Sequence, residues 1–600
     1  MRTASSVSCD LMEPSGGAHA DYPPGQILPH RNEPARSRAR RLGGGVAARL
    51  GSTRNGRDRN PFGGRTPVQS YDYIVIGAGS AGAAVANRLS ADPHHQVLLL
   101  EAGAADNPWT RIPAGVARLI TNPAANWLYA AEPEAATNGR AIPVPRGKLL
   151  GGSSAINGMA FVRGQAQDFD TWAQLGNRGW SYADVLPFFK RMESYDQGDD
   201  DLRGRDGPLR VTNPPPRARL LAALIEAAGQ RGIAHNPDYN GAVQDGIAMS
   251  QATIFRGRRV STARAYLDPA RRRPNLRIVT GALAETLLFD GARCTGVRYR
   301  AAGAVHAATA GRETIVCGGT INSPLLLELS GIGQPDRLAR LGIAVRQALP
   351  GVGENLRDHY APRTRWAIDT PGASFNDRRR GLGLVGQALR YALGQPSLLG
   401  MVAAPLRAFV RSREGLEAPD VLLGWVPMLT EPGPRGPRLS AQSGMTCCAH
   451  PMRPESRGSV HAVAADPARA PAIAFNFLSA PIDAEITARA VRIARSVMTA
   501  PAMAPFRLRE LAPGPAAVTD EAIIAWVRGA AETTYHPVGT CKMGGDAMAV
   551  VDARLRVHGV AGLRVADASI MPSLTSGNTN APAIMIGEKA AAMVLADAAA

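Results

Sequence analysis

Lysine is nearly missing from this chain. Of its 68 basic residues only four are lysine, Lys148, Lys190, Lys542 and Lys589. The formal net charge of +18 therefore rests on arginine. Those arginines are scattered rather than gathered on one stretch, which argues against a phosphate-binding face and hence against a nucleic-acid partner. About a third of the excess sits in the first seventy residues, where eleven Arg meet five acids. Arginine in place of lysine, with abundant Ala, Gly and Pro, is the bias of a GC-rich bacterial genome. Cysteine is also scarce: Cys9, Cys294, Cys317, Cys447, Cys448 and Cys541 form no CxxC and no zinc spacing. That pattern excludes a disulfide framework and suits a reduced, cytoplasmic protein without a metal site. No apolar run approaches the ~18 residues of a spanning helix, although peripheral membrane contact stays open. Arg40 and Arg41 precede a weakly apolar segment cut by Arg49, which does not read as a twin-arginine export signal.

What is present is the chain of an ordinary globular protein, with 45% hydrophobic and 20% charged residues. Its 600 residues exceed one hydrophobic core, so at least two domains are expected. Residues 1–69 lack apolar periodicity and read as a disordered, Arg-rich tail. Directly after it, Tyr71 to Gly103 reads as strand, tight turn, helix, strand and carboxylate, the plan of a dinucleotide-binding βαβ unit. Gly77 allows the turn, and Gly79 lets the backbone approach a pyrophosphate. Gly82 lets the helix lie close to the strand, its first amides facing the phosphates beside Ser80 and Ala81. Glu101, nineteen residues after Gly82, is placed for ribose hydroxyls. This stretch alone leaves NAD, NADP and FAD open.

Further along, Arg146, Gly147, Leu150 and Gly151 lead through a double serine to Asn157 and Gly158, a loop entering a helix with amides free for a cofactor. Residues 166–249 carry no nucleotide motif. Asn275–Thr280, Ala284–Phe289 and Cys294–Arg300 read as strands with an Asp290-Gly291 turn, and Thr314–Cys317 as a buried strand. Ser323 and Pro324 then read as N-cap and first residue of a short helix stopped by Gly331. Residues 360–529 hold strand-like pieces, Val421–Leu423 and Ile473–Phe477, and a helix around Ala484–Met498. The stretch from Tyr535 to the C terminus is again dense in motifs.

Together these motifs resemble the glucose–methanol–choline (GMC) oxidoreductase family, over roughly residues 70–598. Gly147–Asp170 and Gly319–Gly333 match its two signatures, and Tyr535–Gly544, Val565–Pro572 and Gly577–Pro582 its C-terminal catalytic region. The resemblance implies a mixed α/β fold, a Rossmann-like FAD-binding domain plus a substrate-binding domain with an antiparallel sheet and helices. The expected division is a discontinuous FAD-binding domain at 70–165, 250–359 and 530–598, with 166–249 and 360–529 binding substrate.

The family's chemistry is oxidation of an alcohol, with the hydroxyl proton removed by a base and hydride passed to flavin N5. The resemblance puts His536 in the role of base, and a neutral imidazole with an unperturbed pKa of about 6.5 suits it. Pro537 keeps His536 off the helical backbone region. Asn580 matches the second active-site position, where an amide can hydrogen-bond the alcohol oxygen. Ala284 is expected against adenine, Asp567 and Ala568 against the ribityl chain or pyrophosphate, and Asn578 against the cofactor. Family members with covalent flavin carry His at the position aligned with Asn157, so noncovalent FAD is expected. His359 reads as a structural loop residue. The expected reaction is an FAD-dependent alcohol dehydrogenation with a quinone-type acceptor; the alternatives are an oxygen-using oxidase and a hydroxynitrile lyase-like relative. Trp366, Phe375, Phe409 and Trp425 could cage a choline-type cation, although such rings are more often core.

Overall fold

The computed structural model describes residues 69–214, 218–378, 381–431 and 438–599. The expected tail, apart from its last residue, lies outside them. The βαβ unit forms as its pattern requires. Strand Gln69–Ile76 is followed by helix Ser80–Leu89 and strand Val97–Glu101. Both strands end in uninterrupted buried runs, as expected of parallel strands covered on both faces. A Cβ added at Gly82 would lie 1.9 Å from the carbonyl oxygen of Gly77, so only glycine lets this helix pack so close to its strand.

These strands belong to a seven-stranded sheet. Its parallel part runs Leu276–Thr280, Val97–Glu101, Gln69–Ile76, the end of Ala304–Val316, and Leu563–Val565. The strands Leu283–Asp290, Arg293–Ala301 and the start of Ala304–Val316 add an antiparallel meander. The long strand thus reaches well upstream of the expected Thr314. Helix Asn580–Ala599 lies along the first helix and crosses it at Gly587, where a Cβ would meet the Ala81 carbonyl oxygen at 2.4 Å. Glu588 on the same helix is fully buried and takes Arg88, Arg191 and the Tyr266 hydroxyl.

One expected helix start is corrected. The helix runs Gly319–Leu329, so Ser323 and Pro324 lie inside it. Pro324 has no N–H for the Thr320 carbonyl, and Thr540 Oγ1 donates to that oxygen instead, at 2.6 Å. Ser323 Oγ is not free to cap because it donates to Asp567 Oδ2 at 2.6 Å. Likewise the glycine loop before Asn157 enters a short 3₁₀ turn, Gly152–Ala155, rather than an α-helix. The expected strand Ile473–Phe477 is limited to Ala472–Ala474.

The second sheet has six strands, all antiparallel, in the order Leu508–Ala512, Arg363–Ile368, Gly444–Pro451, Val421–Val426, Leu406–Val410, Gly246–Met249. Side chains alternate between its faces. Leu406, Ala408, Val421, Leu423, Trp425, Met445 and Cys447 pack under helices Arg219–Gly229 and Pro481–Met498. The opposite face carries Arg363, Arg407, Leu422, Gly424, Cys448 and His450 and looks toward the first sheet across a cavity. Within residues 166–249 the packing divides. Phe169 to Val211 share the core of the first sheet, whereas Leu220 to Met249 share that of the second.

No helix among the described residues is long and apolar enough to cross a membrane. Cys294, Cys317, Cys447, Cys448 and Cys541 are all free thiols.

Candidate active site

A continuous cavity of about 470 Å³ runs from the carboxyl ends of the parallel strands to the open face of the second sheet. Its first end is built for an anion. Gly77, at φ +101°, makes the turn. A Cβ on Gly79 would meet no atom within 4 Å, leaving the backbone bare toward the cavity. The N-termini of helices Ser80–Leu89 and Asn580–Ala599 meet there, joined by Ser80 Oγ donating to Asn580 Oδ1 at 2.8 Å. Two converging helix N-termini favour negative charge. Glu101 lines the same end, its carboxylate accepting the backbone N–H groups of Ala78 and Gly103 at 3.0 and 2.9 Å. Burial raises its pKa to about 7. Asp567 accepts from the Gly319 backbone N–H and from Ser323.

Most of the expected site residues line this one cavity: Gly77, Gly79, Ser80, Ala81, Glu101, Arg146, Gly147, Asn157, Gly158, Ala284, His536, Asp567, Ala568, Asn578 and Asn580. Gly82, Leu150 and Gly151 do not. Gly82 spaces helix from strand, Leu150 is buried, and Gly151 makes a turn at φ +88°. Arg146 lines the cavity, but its guanidinium is turned to the Tyr535 carbonyl, with Nη2 donating at 2.8 Å.

The other end centres on His536. Its turn is unusual in that Tyr535 stands at φ +68°, a costly conformation for a bulky residue. Arg146 grips the Tyr535 carbonyl, and Asp358 Oδ1 accepts the His536 N–H at 2.9 Å. Around the ring the donors and acceptors form one ordered chain. His359 Nε2 is 2.7 Å from the Met452 carbonyl, which can only accept, so Nε2 carries hydrogen. Burial, followed by the nearby His450 and His536 rings, depresses the His359 pKa far below the usual value. His359 is therefore neutral, and its Nδ1 is an acceptor. It faces His536 Nδ1 at 3.1 Å, and Thr534 Oγ1 stands 2.8 Å from the same nitrogen. With the His359 ring and the Thr534 hydroxyl oxygen both accepting, His536 carries hydrogen on Nδ1 and its lone pair on Nε2. Asn578 Nδ2 points at that lone pair from 2.8 Å. The amide is held this way round because Arg407 Nη1 donates to Asn578 Oδ1 at 2.8 Å. Burial first, then His450, Arg146 and Arg407, holds the His536 pKa well below the ordinary value.

The expected pairing is thereby corrected. Asn578 stands against His536, whereas Asn580 opens the C-terminal helix and faces Ser80. The two lie on either side of the point where the chain turns into the helix, so they face different ends of the cavity. Sequence reading also passed over Arg407 and His450, and took His359, beside Asp358, as a structural loop residue. Only the Asp358-His359 pair carried a signal, as adjacent polar residues. The aromatic candidates for a cation cage are all buried away from the cavity. Trp366 and Trp425 are in the core beneath the second sheet, Phe409 packs on Tyr239, and Phe375 is buried outside the lining.

The N-terminal model of the GMC oxidoreductase family matches residues 71–361, and the C-terminal model matches 454–587. The chain belongs to the GMC oxidoreductase family. It is 42% identical over 542 residues to the oxygen-dependent choline dehydrogenases of Sinorhizobium fredii and Escherichia coli K12, covering 87% of this chain and 95% of theirs. Among solved structures it resembles pyridoxine 4-oxidase from Mesorbium loti, with TM-score 0.79 and 31% identity over 87% of this chain and 98% of that one. A formate oxidase variant of Aspergillus oryzae aligns at TM-score 0.81 and 26% identity, over 88% and 98%. This GMC protein is an FAD-dependent oxidoreductase acting on CH–OH donors. The bare Gly79 backbone, the paired helix N-termini and the Glu101 carboxylate fit the adenosine and pyrophosphate of that cofactor.

Proposed function

We propose that the protein oxidises an alcohol to its aldehyde or ketone, with His536 Nε2 accepting the hydroxyl proton and electrons passing to a quinone-type acceptor. The observation that carries this reading is the ordered chain from the Met452 carbonyl through His359 and His536 to Asn578 and Arg407. It leaves Nε2 with its lone pair and with the Asn578 amide as the donor against it. A hydroxyl that displaces this amide–imidazole bond can donate to Nε2 and accept from Asn578 Nδ2, so the oxygen is held as its proton leaves. In this reading Asn578 takes the role expected of Asn580, and Asn580 belongs to the cofactor end. FAD, when bound, supplies the two-electron acceptor for the carbinol C–H bond. Glu101, Ser80, Asn580 and Asp567 would hold it, and the second sheet would hold the alcohol. This keeps the division of residues 70–165, 250–359 and 530–598 for cofactor and 166–249 and 360–529 for substrate, with the helices before Val211 serving the cofactor core as well.

Oxygen as acceptor is the second reading, supported by the relatives' printed names, oxygen-dependent choline dehydrogenase and pyridoxine 4-oxidase. Those names describe redox enzymes, which gives the lyase-like alternative no support. We further propose that FAD is held without a covalent bond. Neither Asn157 nor Ile156 before it has a nucleophilic side chain, and Asn157 Oδ1 is already taken by the Met159 N–H and Arg259 Nη1.

Replacement of His536 by Ala tests the base. The variant is expected to retain FAD while kcat falls by roughly 10²–10⁴-fold, the usual contribution of a general base. A purified variant with full flavin content and near-normal turnover would remove His536 from the reaction. Adding air after anaerobic bleaching by an alcohol then separates the acceptors. A flavin that recolours only with a quinone supports the dehydrogenase, and prompt recolouring in air supports the oxidase.

A further inference from the structure

We propose that the alcohol taken by this site carries an anionic group, in the simplest case a carboxylate, seated between Arg407 and Arg363, and that quaternary ammonium alcohols are poor substrates. This rests on the reading of alcohol oxidation at His536. The second sheet presents one straight row to the cavity. Register pairs Arg407 with Gly424, Gly424 with Cys448, and Cys448 with Arg363. Two guanidinium-bearing residues therefore flank two small ones, and the small pair forms a recess, since adjacent strands stand only about 4.7–4.9 Å apart.

The charge balance of the row is positive. Arg363 has Glu532 as a partner at 3.3 Å. Arg407 is 3% exposed, and among the described residues no carboxylate lies within ion-pair distance of it. Its Nε is spent on Ser250 and its Nη1 on Asn578, while Nη2 has no hydrogen-bond partner among the described residues. A buried cation without a counter-charge is costly, and it lines the wall where the alcohol must lie. The carboxylates lining the cavity, Glu101 and Asp567, are both at the anion-binding end and occupied with backbone amides.

The same wall offers little to a quaternary ammonium, which is recognised by aromatic faces or carboxylates. Trp366 and Trp425 point away from the cavity into the core. Trp127 is stacked on Tyr129 with Lys148 over its ring, and Tyr535 stands in the field of Arg363. An anion would neutralise Arg407 from its open side, and bidentate pairing with a guanidinium suits a carboxylate.

The experiment measures kcat/KM and anaerobic flavin bleaching of the FAD-loaded enzyme with choline, its uncharged carbon isostere, and a series of short ω-hydroxycarboxylates. The best hydroxycarboxylate is expected to exceed both other alcohols by about tenfold or more, the scale of one charge-assisted hydrogen bond. In Arg407→Gln the ratio of kcat/KM for hydroxycarboxylate over isostere should fall by about 10–100-fold. Arg407→Lys, which keeps the charge but not the bidentate fork, should lose part of that ratio while still preferring the hydroxycarboxylate, and serves if the Gln variant loses FAD. A residue that merely orients Asn578 would lower both substrates together and leave the ratio unmoved, which would overturn the proposal. Fastest bleaching by choline in the unaltered enzyme would overturn it too. If uncharged or cationic alcohols bleach the flavin and hydroxycarboxylates do not, this inference alone fails. If no alcohol does, the reading of alcohol oxidation fails with it.

Discussion

A neutral imidazole serves as a base only while its accepting nitrogen stays unprotonated, and the surroundings of His536 enforce that state. Burial weighs most, and the neighbouring His450, Arg146 and Arg407 add to it. Each disfavours imidazolium, so the acidic limb of kcat/KM against pH should lie below the ordinary imidazole value of about 6.5. The sign for a variant follows directly. Removing the positive charge in Arg407→Gln stabilises the protonated ring, and the limb moves upward. A limb at or above the ordinary value in the unaltered enzyme, or a downward move in the variant, contradicts this account. Burial likewise pushes the His450 pKa down, to about 4.

Among the elements, helix Gly319–Leu329 and the turn at Tyr535 share one difficulty, a backbone conformation that needs outside support. Left-handed Tyr535 costs about 1–3 kcal/mol, offset by Arg146 on its carbonyl and Asp358 on the next amide. Pro324 leaves the Thr320 carbonyl to the hydroxyl of Thr540, which is fully buried. Thr540→Val keeps the shape and removes that donor. The variant should lose about 1–3 kcal/mol of stability, the penalty for one unsatisfied buried group, while kcat changes little. Urea unfolding checks the first and steady-state assay the second. These supports explain what was legible in the sequence. The βαβ unit was readable because turn, helix and strand depend on neighbours within one stretch, from Gly77 to Glu101. The start of helix Gly319–Leu329 was misread because the partners of Ser323 and Thr320 lie more than two hundred positions away. Arg407 gave no signal at all. Its meaning comes from strand register, which sets it beside Gly424 and within reach of Asn578. Asn578 and Asn580 are indistinguishable by type and nearly by position, and only the turn into the last helix assigns them to opposite ends of the cavity.

For the whole molecule, the cavity between the two sheets links stability to cofactor binding. It separates two cores, and a bound cofactor fills the gap at its anion-binding end. Ligand that binds only the folded chain stabilises it, by about 2.7 kcal/mol when free ligand is 100 times its Kd. Added FAD should therefore raise the melting temperature of the flavin-depleted protein, and the shift should grow with FAD concentration. Acid precipitation should leave the flavin in the supernatant, as noncovalent binding requires. Yellow colour retained in the washed pellet would refute that part.

The meeting of Ser80 with Asn580 has a consequence for the order of events during synthesis. The first strand, helix and turn leave the ribosome early, yet their sheet still lacks Leu563–Val565, and their helix lacks the partner that crosses it at Gly587. The amide facing His536 and the one facing Ser80 both come from a stretch about five hundred positions after that turn. A nascent chain thus carries a glycine turn that resembles a finished nucleotide site long before it can act as one. A chain that stops short of Asn578 would lack both the amide against His536 and the second helix N-terminus of the cradle.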